Sequence, residues 1–144
     1  MLMERNAEII RGWPYDGARD RAEMISSGAT LQNGNWVQKQ SDGTVNLSGA
    51  SAANNVGLVF EGNGDSASAA NTNKALVLWG NFIAQIANYD NTQTYAPGNS
   101  VTCKNGVITL AGSTDPVVGE ILDVVTAVTT GLFQVTAHLT ISVA

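Results

Sequence analysis

Apolar and polar positions alternate in short runs along most of this chain. The clearest run is the last, LFQVTAHLTISVA. There Phe133, Val135, Ala137, Leu139, Ile141 and Val143 fall on one face, and Gln134, Thr136, His138, Thr140 and Ser142 on the other. A strict period of two predicts one long strand with a single face on a core. Earlier runs are shorter and more uniformly apolar: TVNLS, VGLVF, KALVLW and FIAQIA. They are rich in β-branched and aromatic residues and are separated by SDG, EGNGD and NYDNTQ, all of which carry turn chemistry. In YAPGNSVTCKNGVITLAG, Pro97-Gly98 marks one turn and Asn105-Gly106 another. The second dipeptide supplies the positive φ angles of a tight hairpin. DPVVGEILDVVT adds a further strand candidate, while GASAANN and SASAANTN read as small polar loops. Strands repeating at this spacing predict an all-β fold, a small barrel or sandwich. No internal repeat is evident.

The first 25 residues depart from this pattern. Four of the seven basic residues, Arg5, Arg11, Arg19 and Arg21, lie there, interleaved with acids and surrounding Trp13, Pro14 and Tyr15. The composition shift divides the chain into an N-terminal arm, residues 1–25, and a β-rich body, residues 26–144. ARDRAEMI (18–25) has the composition of one or two helical turns, too short to persist without packing. At 144 residues, the chain is long enough to bury its own core without disulfides or metals. Cys103 is the only cysteine and has no internal partner, so the fold does not require an oxidising compartment. The N-terminus lacks the apolar stretch of a signal peptide, and no run reaches membrane-span length. A net charge of -5 and no basic patch argue against a direct nucleic-acid role.

Few residues carry chemistry. GDSAS (64–68) offers Ser66 as a nucleophile with His138 as the sole base, but no acid stands near His138, and a Gly/Ser loop is the simpler reading. EGNGD places Glu61, Asn63 and Asp65 at alternate positions; calcium sites draw six or more oxygens from longer loops, so a solvated turn is expected. His138 alone cannot build a zinc site. Cys103 reads as a buried strand thiol. Asn46-Leu47-Ser48 is a glycosylation sequon, without significance in the absence of secretion. Asp115-Pro116 and Asp123 have no partner carboxylate at a defined spacing, and no phosphate-binding glycine loop occurs. The expectation is a non-enzyme with no cofactor and no metal.

Adhesion is the remaining class. Arg11, Trp13 and Tyr15 in RGWPYDG are residues that anchor interfaces, and Trp36 in NGNWVQ is expected to be exposed. The alternative for Trp13 is burial on its own body. Residues 95–139 also resemble the β body of tailed-phage capsid decoration, or cement, proteins. The shared cadence runs through Tyr95, Pro97-Gly98, Val101, Gly106, Ile108-Thr109, Ala111, Pro116-Val117, Gly119, Val124, Gly131, Val135 and Leu139. The resemblance covers the last third of the chain and marks turn glycines and core positions rather than a site. It implies a β-tulip-like body and a virion structural protein on the capsid exterior, made in the host cytoplasm. Its partners would be the major capsid protein and itself, as a homotrimer first and a dimer second. The competing readings are a carbohydrate- or host-surface-binding module, with Trp13, Trp36, Trp79 and Tyr89 as stacking platforms, and a tail or baseplate component. Within this set Trp79 is the one expected in a core.

Overall fold

A computed structural model of the protein describes residues 7–11, 19–53, 55–65, 73–125, 129–130, 133–134 and 138–143. These residues form thirteen strands and no helix. In chain order they are β1 (Ala7–Arg11), β2 (Arg19–Met24), β3 (Trp36–Lys39), β4 (Val45–Leu47), β5 (Gly57–Glu61), β6 (Lys74–Trp79), β7 (Phe82–Ile86), β8 (Ser100–Lys104), β9 (Val107–Leu110), β10 (Gly119–Val125), β11 (Thr129–Thr130), β12 (Phe133–Gln134) and β13 (His138–Val143). A six-stranded sheet has the order β1-β7-β13-β10-β8-β9 and a five-stranded sheet the order β2-β6-β5-β3-β4; β11 and β12 pair only with each other. The all-β body read from the sequence is present.

The turn chemistry acts as expected. Asn105 and Gly106 both have positive φ, 53° and 77°, and they join β8 to β9 with Lys104 opposite Val107. This is the mirror-image turn whose twist matches the flanking strands. Gly98 has φ 90°, and Asn99 N–H donates to Ala96 O at 3.1 Å, as a Pro-Gly type II turn requires.

The five-stranded sheet is buried on both faces. Trp36, Leu58 and Leu78 face the six-stranded sheet and meet Phe82, Ala84, Ile86, Val101, Ile121, Leu139 and Ile141 in one core. The adjacent positions Val37, Val59, Val77 and Ala75 turn the other way and form a second core with Ile25, Leu31 and Val45. That face is enclosed because the sheet closes on itself. Ile25 N–H donates to Asn73 O (2.7 Å) on the β6 side, and Ser26 N–H donates to Val45 O (3.0 Å) on the β4 side. Ile25 also bridges Val45 in parallel. The result is a small barrel with its own apolar interior, stacked against the six-stranded sheet.

Glu23 lies at this seam, 2% exposed. Its carboxylate accepts a hydrogen bond from Lys39 Nζ, and the Arg21 guanidinium lies 3.2 Å from the other oxygen. That second contact is electrostatic rather than an aligned hydrogen bond. Ser26 Oγ and Thr44 Oγ1 are hydrogen-bonded across the seam at 2.6 Å.

One expectation is corrected. Residues 19–24 are not helical: all six pair with β6, from Arg19 opposite Trp79 to Met24 opposite Lys74. A ladder along the whole segment outweighs a weak local preference for helix. The final run is described in two pieces that keep a single register against the preceding strands, with Val125 opposite His138 and Thr129 opposite Gln134. Phe133-Gln134 pairs with Thr129-Thr130, while His138–Val143 pairs with β10 and β7. The register within β13 is as read: Leu139, Ile141 and Val143 are buried, and Thr140 and Ser142 are half-buried on the opposite face.

Leu139→Asp should therefore cost about 4 kcal/mol or more, since it buries an unpaired charge. Thr140→Asp should cost no more than about 1 kcal/mol, from like-charge repulsion with Asp123 opposite. Urea unfolding midpoints separate the two, and equal tolerance would place β13 at a solvated edge. At the seam, Lys39→Ala leaves a buried carboxylate without its closest cation and should cost about 2 kcal/mol, discounted because Lys39 is partly in solvent. Arg21→Ala, removing a largely exposed cation, should cost under about 0.5 kcal/mol. The reverse order in the same titrations would show that Lys39 does not secure the seam.

Candidate interaction surface

The charge-rich N-terminal segment supplies one strand to each sheet. β1 pairs with β7, placing Ala7 opposite Ile86 and Ile9 opposite Ala84, and a bulge at Ile10 then brings Arg11 opposite Ile83. The far edge of β1 carries no ladder among the described residues. Edge strands commonly bear charges and bulges, which discourage unspecific strand pairing; Glu8, Arg11 and the bulge fit that pattern. β2 presents Glu23 to the barrel interior, while Ala22 and Met24 point outward and are exposed, Met24 by 48%.

Arg11 and Arg19 flank the connection between β6 and β7 in register. Arg11 lies opposite Ile83 and Arg19 opposite Trp79, on either side of the turn Gly80-Asn81 that joins β6 to β7. Trp13 and Tyr15 belong to the stretch between, outside the described residues. Residues 12–18 are thus flanked by two strands that pair with the consecutive strands β7 and β6.

Trp36 is not an exposed anchor. It is 0% exposed, its ring stacks on Phe82 with centroids 6.3 Å apart and planes at 13°, and its backbone N–H donates to Gly106 O. Pairing with Leu58 orients it into the core between the sheets, despite its polar sequence neighbours. Trp79, expected in the core, is partly buried and packs against the barrel interior. Tyr89 is half-buried, edge-on to Tyr95 at 5.4 Å. The Tyr95 hydroxyl donates to Asp90 O at 2.7 Å, and Tyr89 and Asp90 cover the outer edge of β9 at Ile108.

Among the described residues the exposed large apolar side chains are Met24, Leu47, Val117, Leu122 and Val124. Leu122 is exposed because β10 bulges there: Ile121 pairs with Ile141 but Asp123 with Thr140. The bulge leaves Leu122 without a position in the alternating ladder. Sequence reading did not single out Leu122; no residue in EILDVV signals a bulge.

Candidate chemical groups do not assemble among the described residues. Ser66 lies outside them, and His138 is known only by its backbone place opposite Val125. No group of His, Cys, Asp or Glu side chains there is arranged to hold a metal. EGNGD is a turn, but not a free solvated one. Asn63 Oδ1 accepts Leu31 N–H (2.7 Å) and Asn63 Nδ2 donates to Ala29 O (3.0 Å). The Asp65 carboxylate accepts the N–H groups of Asn33 and Gly62. A Cβ on Gly62 would sit 2.1 Å from Leu31 O. The turn clamps the loop that seats Leu31 in the barrel. In the sequon, Ser48 is buried, its hydroxyl accepting Gly106 N–H at 2.7 Å. Asp115 accepts Gly112 N–H and lies 3.5 Å from Lys104, and both interactions hold its carboxyl below the usual value.

No protein-family model matches the chain, and no curated protein matches it in sequence.

Cys103 is buried, with Sγ 3.1 Å from Ser48 Oγ. Burial pushes its thiol up from 9.0 to about 11. The folded state thus holds the proton more tightly than the unfolded chain. The resulting stability is complete below about pH 9 and is lost as pH rises through about 11. The loss should be on the order of 2 kcal/mol. Cys103→Ala should flatten that portion of a stability–pH profile, and an unchanged alkaline slope would assign the loss to other groups.

Proposed function

We propose that this protein is a virion structural component that binds the outer surface of an icosahedral phage capsid and ties neighbouring capsid subunits together. The observation that carries the reading is the place of the residue cadence in the fold. Gly98 and Gly106 occupy turns at positive φ. Val101, Ile108 and Leu139 are fully buried, and Tyr95 packs against the same core. Two cadence positions are not core: Val117 is 53% exposed and Val124 37%. The cadence therefore specifies a framework and leaves apolar side chains on its surface, as an adhesive module needs. A clamp that binds the assembled shell and not free subunits stabilises the shell by mass action, and many copies multiply the effect. A homotrimer matching a capsid three-fold position lets each copy make the same contact. The sugar-binding alternative loses Trp36, whose ring is inside the core and closed to a ligand.

Docking is assigned to the N-terminal segment. Trp13 and Tyr15 are the aromatic anchors, flanked by Arg11, whose chain position lies beside the β6–β7 turn. Deleting residues 1–16 would remove β1, so point substitutions are the cleaner test. Trp13→Ala should weaken co-sedimentation with mature capsids by about 2 kcal/mol, some thirtyfold, if the ring is a central anchor, and leave the unfolding midpoint nearly unchanged. Loss of stability with undiminished capsid binding would make Trp13 a core residue and remove it from the interface. Undiminished binding of both Trp13→Ala and Tyr15→Ala, with no change in stability, would move the contact to the β body. No binding of the wild-type chain to any capsid would overturn the proposed function itself.

A further inference from the structure

Asn-Gly bonds are chemically fragile. The glycine amide nitrogen attacks the asparagine side-chain carbonyl carbon, forming a C–N bond and expelling ammonia, and water then opens the cyclic imide to aspartate or isoaspartate. The chain contains three such bonds, at 33–34, 63–64 and 105–106. In the fold each attacking nitrogen is held by a hydrogen bond. Gly34 N–H donates to Val59 O (3.0 Å) and Gly64 N–H to Leu31 O (2.9 Å), and Gly106 N–H donates to Ser48 Oγ (2.7 Å).

Position 63 differs from the others in what guards it and what depends on it. Asn33 is buried and Gly106 N–H is tied to a buried hydroxyl. The bonds of Asn63 and Gly64 run instead between two loops and are only partly buried. Parting those loops requires a local opening rather than loss of a sheet. The Asn63 amide also uses both of its ends, accepting from Leu31 and donating to Ala29. An aspartate there has no donor for Ala29 O and sets a carboxylate oxygen against that carbonyl. An isoaspartate lengthens the main chain and draws Gly64 N–H away from Leu31 O.

We infer that Asn63-Gly64 is a conditional deamidation site, suppressed while the clamp on residues 29–35 is closed, opened to reaction when that loop lifts, and converted to a product that prevents reclosure. Leu31, 0% exposed inside the barrel, then loses its tether, so a reversible local opening becomes permanent. The inference is independent of where the protein docks.

The test follows deamidation by peptide mapping of the full chain in mildly alkaline buffer. In the folded protein, site 63 should convert at least about tenfold more slowly than in urea-unfolded protein, because the rate scales with the open fraction. Asp65→Ala removes the acceptor for Asn33 and Gly62 N–H without altering Asn63-Gly64; it should accelerate site 63 in the folded protein and leave site 105 at the wild-type rate. Wild-type protein in sub-denaturing urea gives the same discrimination should that variant not fold, with site 63 accelerating before site 105. Equal rates at site 63 in folded and unfolded protein overturn the suppression. Acceleration of both sites together, or of neither, overturns the local-opening route. Asn63→Asp should speed hydrogen exchange at the Leu31 amide, and wild-type protection there overturns the block to reclosure.

Discussion

The five-stranded sheet carries apolar side chains on both faces, and that constraint shapes the rest of the molecule. One face meets the six-stranded sheet through Trp36, Leu58 and Leu78. The other cannot remain in water, because Val37, Val45, Val59 and Val77 would all be exposed together. No further layer of strands covers it among the described residues. The sheet instead curls until Ile25 and Ser26 reach Val45, and a loop inserts Leu31. Closure also ties the sheet's two edge strands together at one point, Ile25 beside Val45. It has a polar consequence as well: Glu23, at the seam, goes out of water and requires the Lys39 ammonium.

The same constraint explains which elements were legible in the sequence. VGLVF and KALVLW lack clean alternation because both faces are buried, yet their β-branched content still marks them as strands. The last strand alternates because only one of its faces is covered. Asn105-Gly106 was readable because the turn type depends on two adjacent residues alone. RDRAEM was not, since its strand conformation rests on β6, 50 to 60 residues away in sequence, and on a cation 16 residues away at Lys39. WVQK was also missed as a strand. Its neighbours are polar, and only the pairing of Trp36 with Leu58 turns the indole inward. Local polarity describes the turn before Trp36, not the face on which its ring lies.

Surface function was less legible than fold for a related reason. Arg, Trp and Tyr mark a candidate interface by type, but exposure depends on register, and register is a property of pairs of strands. Trp36 failed as an anchor for that reason. Leu122 was passed over because a bulge displaces it. EGNGD was read as solvated since, apart from Gly62 within the turn itself, the groups that need its acceptors are distant in sequence. Leu31 and Asn33, whose N–H groups it takes, lie 32 residues earlier. Sidedness and long-range polar pairing carry no local signature, whereas turn type and strand composition do.

The placement of the N-terminal strands bears on how an adhesive role would work mechanically. Under the proposed function, force from an expanding shell reaches the protein through residues near Arg11 and Arg19. β1 passes that force to β7 and the six-stranded sheet, and β2 passes it to β6 and the barrel. β6 and β7 are consecutive strands joined by two residues, so the load enters both sheets at neighbouring points. Trp36 stacked on Phe82 then links the barrel wall to the first residue of β7. Separating the sheets would expose the shared core, and peeling β2 away would strip Glu23 from Lys39 at the seam. A short segment flanked in this way by two paired strands resists displacement through two packed cores, which a tail fastened at one end cannot do.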